Sequence, residues 1–197
     1  MRDAILACEH TGRTEGFAAG LALALDGAGA DAAPGRLAAL PSDAVPAGAP
    51  VVPHRLAGRE GVSFVRRTGP RSLAESEGTA LAARLAAARL GVTQRLRERA
   101  VAHLATRVSG GEPTIRKQLV RGVLADALVT VETVRRTLVV AGDLAGTVAE
   151  CHHRLSELDW ELTKLLGASG FVGPRAANTV FVARLTANCW VPTGART

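Results

Sequence analysis

From about residue 76 to residue 190 the chain is a nearly unbroken succession of helical patterns joined by very short turns, and no other feature limits the fold as much. The first pattern starts at Ser72 to Ser76 and runs to about Val108. Leu81, Leu85, Ala88, Val92, Leu96, Val101 and Leu104 recur along it at helical spacing. A second begins after Pro113, a favoured first-turn residue. It carries Ile115, Leu119, Val123, Leu128, Val131, Val134 and Leu138 and stops near Gly142. Asp143 or Thr147 can cap a third, which passes through Leu155, Leu158, Leu162 and Leu165 to a stop at Gly167. The fourth spans Pro174 to Trp190. Connections this short force antiparallel neighbours. The expected fold is all-α: an up-down-up-down four-helix bundle over residues 76–197.

Residues 1–75 read as an N-terminal helix followed by a short, irregular Gly/Pro-rich segment. Phe17, Leu21, Leu23 and Leu25 supply the helix's apolar positions. Gly12, Gly16 and Gly20 either fray it or let it pack closely on another helix, and the pattern does not separate the two. Between Gly27 and Pro70, Val51, Val52, Val62, Phe64 and Val65 suit short strands, with turns at Ala57-Gly58 and Thr68-Gly69-Pro70. An extended loop with room for one hairpin is the expectation there.

Aromatic residues are 3% of the chain and Tyr is absent, so core volume must come from Leu, Val and Ala, which suits closely spaced helices. The net charge of +6 is carried by 22 Arg and 2 Lys. They are scattered, with pairs such as Arg66-Arg67 and Arg135-Arg136 but no interleaved aromatics to stack bases. This describes a solvated surface rather than a nucleic-acid interface. Cys8, Cys151 and Cys189 are too widely spaced for a disulfide framework, which points to a reducing compartment. Acids and His interrupt the N-terminus where a signal peptide needs an apolar run, and no uncharged stretch approaches the about 20 residues that span a bilayer. A cytoplasmic protein without membrane contact is expected.

The joints carry more information than the helices. One is Gly110-Gly111-Glu112-Pro113, leading to Gln118; the other is Gly167-Ala168-Ser169-Gly170-Phe171, leading to Ala183-Arg184. Taken singly, each is a tight interhelical turn, or a place where backbone N–H groups hold an anion at the bundle's end. In this order and separation, over residues 78–190, they resemble the C-terminal helical domain of the acyl-CoA dehydrogenase family. There the first bundle helix ends in Arg-x-x-Gly-x-Pro with a Gln five residues on; here Gly111-x-Pro113 and Gln118 match, and Arg107 lies one residue early. The resemblance implies that Arg107, Gln118, Gly167, Gly170 and Phe171 face an FAD shared between subunits. It implies an acyl-thioester substrate, and a homo-oligomer or a heteromer with a full-length acyl-CoA dehydrogenase-like chain. It also exposes departures. The family's usual catalytic Glu falls on Trp190, and the alternative position on the first helix falls on Leu81 and Ala82, none of which accepts a proton. Residues 1–75 are also too few for the family's N-terminal helical domain and middle β-barrel, so the resemblance is to a divergent, shortened member.

The densest titratable set is Glu150-Cys151-His152-His153-Arg154 with Glu157, Asp159 and Glu161. His153 and Glu157 share one helical face, with Glu150 a turn earlier. The three are candidates for general acid–base work, against the plainer reading of a solvated face with pairs worth about 0.2–0.5 kcal/mol. Without His-Glu-x-x-His or Cys-x-x-Cys, no metal centre is expected. Cys8-Glu9-His10 lacks a third orienting group for a nucleophile, and Trp160 and Trp190 read as core or interface anchors. Three functions follow as alternatives: an acyl-CoA dehydrogenase-like FAD oxidoreductase component; a non-redox isomerase, dehydratase or cyclase on the same scaffold; and a non-catalytic helical assembly partner.

Overall fold

The computed structural model describes residues 1–70, 73–170 and 176–191. Seven α-helices account for most of them: α1 (Arg2–Thr14), α2 (Phe17–Leu25), α3 (Arg55–Arg59), α4 (Glu75–Thr106), α5 (Gln118–Ala141), α6 (Ala145–Leu165) and α7 (Ala176–Trp190). The last four are the expected bundle. Two of the expected boundary residues, Ser72 and Pro174, lie outside the described residues.

Helix α4 is the axis of the molecule. Leu81, Ala82, Ala83, Leu85, Ala86, Ala87, Ala88, Leu90, Val92 and Leu96 are buried on all sides of it, because α1, α2, α5, α6 and α7 pack around it. A helix that is apolar all round must be enclosed in this way. The alanines let its neighbours approach, which answers the scarcity of aromatics. Glu77 accepts a bond from the Ala74 amide at 3.1 Å and so caps the helix start.

The N-terminal segment is more ordered than its sequence suggests. The expected single helix over residues 1–26 is two helices, broken at Gly16, whose φ of +110° favours glycine. Gly12 and Gly20 serve close packing. A Cβ on Gly12 would meet the Ala88 carbonyl, and one on Gly91 would meet the α1 backbone. The loop expected at residues 27–70 contains an antiparallel sheet of order β1–β3–β2: β1 (Leu37–Pro41), β2 (Val51–Val52) and β3 (Val62–Arg66), with Ala39 opposite Phe64. The anticipated turn at Ala57-Gly58 is the short helix α3. Strand β1 was hidden because Leu37-Ala38-Ala39-Leu40-Pro41 is not alternating: four of its five residues are buried.

One hydrophobic core runs through both segments. It is pinned by Trp190, whose indole Nε1–H donates to Ala39 O at 2.8 Å and ties α7 to β1. It is pinned again by Glu9 of α1, which accepts from Gln94 Nε2 of α4 at 2.6 Å and from Arg135 Nε of α5 at 2.9 Å. A buried carboxylate is tolerable only when bonded this fully. The three thiols are free. Burial pushes Cys8, Cys151 and Cys189 up to about 11, which makes them poor nucleophiles near neutral pH.

Candidate functional site

The joint after α4 is not a simple interhelical turn. Val108–Ser109 (β4) pairs with Glu112–Pro113 (β5) in a small hairpin, Val108 opposite Pro113 and Ser109 opposite Glu112. Gly110 and Gly111 form its two-residue tip at φ of +66° and +84°. Two successive left-handed residues are what the favoured hairpin turn requires. Pro113 is therefore in a strand, and α5 starts at Gln118 rather than after Pro113, the intervening Thr114–Arg116 forming a 3-10 turn. The Arg107 carbonyl accepts from both the amide and the hydroxyl of Thr114, at 2.7 and 2.9 Å, which holds the hairpin against the end of α4.

This arrangement brings two of the sequence candidates together across 60 residues. Gly167 follows the C-cap of α6 with a φ of +58°, the left-handed stop expected there. A Cβ placed on it would lie 3.4 Å from Arg107 Nη1, so the guanidinium rests on the face that glycine leaves open. Gln118 opens α5 just past the hairpin and is exposed, and Gly170 ends the 3-10 turn Gly167–Gly170. Phe171 lies outside the described residues.

The acid–base candidates sit elsewhere, on the outer face of α6. His153 Nε2 and Glu157 Oε1 are 3.3 Å apart with both side chains 66% exposed, and Arg154 Nε donates to Glu150 Oε1 at 2.7 Å. The opposite face of α6 turns His152 and Asp159 of that titratable run toward Arg89, a residue the sequence reading did not single out. Arg89 of α4, 1% exposed, donates through Nη1 to His152 Nδ1 at 2.9 Å and through Nη2 to Ser156 Oγ at 3.0 Å. His152 Nε2–H reaches Ala82 O at 3.0 Å, a pairing that fixes the tautomer in which Nδ1 accepts. Asp159 takes the Thr93 hydroxyl at 2.7 Å, and its second oxygen stands 3.6 Å from Arg89 Nη2. Burial pulls His152 down to about 3, with the neighbouring Arg89 charge adding to it. Burial also raises Asp159 to about 6, opposed by Arg89. The available signal was an arginine inside the apolar run Ala86-Ala87-Ala88-Arg89-Leu90.

Asp159 and Ser156 open onto a pocket of about 280 Å³ between α6 and α7, walled by Leu56, Trp160, Val180 and Phe181, with Arg184 at its edge. An apolar pocket with a few convergent polar groups, one of them a carboxylate of raised pKa, is equipped for ligand binding and proton transfer. By contrast, Trp190, Leu81 and Ala82 are all buried, so the two positions where the resembled family carries its base hold packed core. Among the described residues no group of His, Cys, Asp or Glu is arranged to hold a metal ion, and no helix is long and apolar enough to cross a membrane.

Comparison with known proteins agrees with this architecture. No curated protein matches the chain in sequence. Residues 78–170 match the family model for the acyl-CoA dehydrogenase C-terminal domain. Similar solved structures include the ChsE4–ChsE5 complex of Mycobacterium tuberculosis, at TM-score 0.53 and 22% identity over 73% of this chain and 46% of that one. A glutaryl-CoA dehydrogenase of Mycobacterium smegmatis in complex with FADH2 aligns at TM-score 0.55 and 18% identity, over 74% and 47%. FkbI, a protein of methoxymalonyl extender-unit biosynthesis, aligns at 0.53 and 22%, over 73% and 48%. At these identities the likeness establishes the fold, and the chain spans less than half the length of each of these relatives. Over residues 78–170, in sequence pattern and in fold, this chain resembles the C-terminal helical domain of the acyl-CoA dehydrogenase family.

Proposed function

We propose that the chain is an acyl-CoA dehydrogenase-like flavoprotein component, contributing one wall of an FAD and acyl-thioester oxidoreductase site shared between subunits. The observation that carries this reading is the exposed Arg107 guanidinium lying over Gly167, at the base of the hairpin that leads to α5. The residues fit part of such a cofactor. Arg107 offers a planar fork for a phosphate, Gln118 an amide, and Gly167 a surface without a side chain in the way. When bound, the flavin would accept hydride from the β-carbon of the thioester. Arg107 and Gln118 would hold and orient it, while a partner would supply the remaining cover and the base that Trp190, Leu81 and Ala82 cannot provide.

A surface for that partner is available. Leu119, Val129 and Val140 on α5 are 86%, 66% and 82% exposed. Eleven residues is close to three helical turns, so Val129 and Val140 share one face of α5, with Leu119 about 80° round the helix from Val129. The ChsE4–ChsE5 structure is itself a complex of two chains. A second copy or a full-length acyl-CoA dehydrogenase-like chain is the proposed occupant, working in the cytoplasm, where three unpaired thiols stay reduced. In this arrangement residues 76–197 are the bundle unit and residues 1–75 its cover. Co-expression with such a chain should give a yellow complex; a stable but colourless mixture would count against the reading.

The pocket beside Asp159 favours a second reading, in which the scaffold performs non-redox acyl chemistry such as isomerisation, dehydration or cyclisation. Asp159, rather than the exposed Glu150, His153 or Glu157, would then move the proton. Asp159→Asn should abolish that turnover and the triple alanine variant of the α6 surface should not; the reverse pattern would overturn the assignment.

A further inference from the structure

A second concave site lies where α2, α3, α4 and α7 meet, up α4 from Arg107. It encloses about 350 Å³, within the about 300–1,000 Å³ usual for small-ligand pockets. Phe17 and Val92, both buried, form its floor. Arg95 and Arg99 of α4 and Arg59 of α3 line its sides. Arg95 and Arg99 are one turn apart on a single face, so their Cβ atoms stand about 5–6 Å from each other. Arg59 comes from a different element. None of the three guanidinium groups has a hydrogen bond or ion pair among the described residues, although Arg95 is partly buried. Two carboxylates share the rim. Glu60 is engaged by the Thr179 hydroxyl at 2.7 Å, and Glu15 is exposed. The helix ends do not decide the matter, since the C-terminus of α1 and the uncapped N-terminus of α2 meet at Gly16 and their partial charges offset. The arginines decide it. Three guanidinium groups that have no hydrogen bond or ion pair among the described residues line one cavity, and an anion lying among them would compensate their charge.

We propose that this pocket binds a diphosphate group, with Arg95 and Arg99 each taking one phosphate and Arg59 closing over both. A single phosphate would engage two of the three forks and leave the third uncompensated. The diphosphate can arrive as a free anion or as part of a nucleoside diphosphate. The test is isothermal titration of the full chain at low ionic strength with pyrophosphate and, separately, with ADP. It needs neither flavin nor a partner chain, so it succeeds or fails apart from the flavoprotein reading.

The expected result is saturable binding of pyrophosphate that weakens about tenfold or more in Arg59→Gln/Arg99→Gln. Both positions are exposed, and the fold of the variant is checked by circular dichroism. Arg121→Gln, at an exposed position on α5, should bind as the wild type does. Tighter binding of ADP would assign a nucleotide-borne diphosphate, and equal binding a free one. Absence of saturable binding of either probe would overturn the proposal, as would equal affinity in the double variant or equal loss in Arg121→Gln.

Discussion

Helices α1 and α4 approach so closely that a single methyl group should force them apart, and Gly91 is the place to insert one. A Cβ at Gly91 would lie 2.6 Å from the Arg13 amide nitrogen and 3.0 Å from the Gly12 carbonyl carbon, and it would overlap Glu9 O outright. Ordinary carbon contacts to backbone atoms are about 3.3–3.6 Å, so α1 would have to retreat by roughly 1 Å. The obstructing atoms are all main chain, so no rotamer change relieves them. A gap of that size forfeits a quarter to a half of each dispersion contact along the interface. It also pulls Glu9 from Arg135 and Gln94. Overpacking of a rigid core costs about 3 kcal/mol at the upper end of its usual range, and replacing a helical glycine by alanine returns about 1 kcal/mol. Gly91→Ala should therefore lose about 2 kcal/mol or more. Gly122 supplies the control: it lies in α5, is exposed, and has nothing near its missing Cβ, so Gly122→Ala should gain about 1 kcal/mol. Urea unfolding followed by far-ultraviolet circular dichroism measures both. A Gly91→Ala protein as stable as the wild type would refute the close-packing argument.

Further predictions concern the polar clusters and the α7 anchor. His152, at about 3 in the fold against 6.5 free, contributes stability that is present above pH 6.5 and lost as pH falls toward 3. Asp159, at about 6 against 3.8, holds its proton more tightly when folded, so its contribution falls as pH rises from 3.8 to 6. The two slopes oppose each other between those values. Asp159→Asn removes one of them, and its melting temperature should drop more steeply than that of the wild type between pH 6.5 and 4; parallel curves would contradict this. Alanine at Glu150, His153 and Glu157 together should change unfolding free energy by less than about 1 kcal/mol, since exposed ion pairs contribute little. Trp190→Phe should cost about 1–3 kcal/mol in the same urea assay, because Ala39 O loses the indole donor within a buried site.

The helices of the bundle were legible because their apolar residues repeat at helical spacing over many turns, which local sequence displays directly. Gly167 was legible for the same reason, as a glycine ending such a repeat. What escaped were features fixed by distant partners. Leu37 to Pro41 becomes a strand only because Val62 to Arg66 lies beside it. Gly110-Gly111 marks a turn of some kind, but only the pairing of Val108 with Pro113 makes it a hairpin and shifts the start of α5 to Gln118. The acid–base candidates were chosen by density along the chain. His152 and Asp159, on the same helix, are buried because they point toward Arg89, a partner that density along the chain does not display. Gly12 and Gly91 carry no local sign that they face each other.

The central claim, that the Arg107–Gly167 joint holds part of a shared flavin, is tested most directly by flavin content. The measurement is the ratio of bound FAD to protein, from the visible absorption spectrum, in the co-purified assembly of this chain with a full-length acyl-CoA dehydrogenase-like chain, the proposed partner, for wild type and Arg107→Ala. The account predicts a yellow wild-type assembly and a pale variant of the same subunit composition. An assembly that is colourless in both, or equally yellow in both, would contradict it.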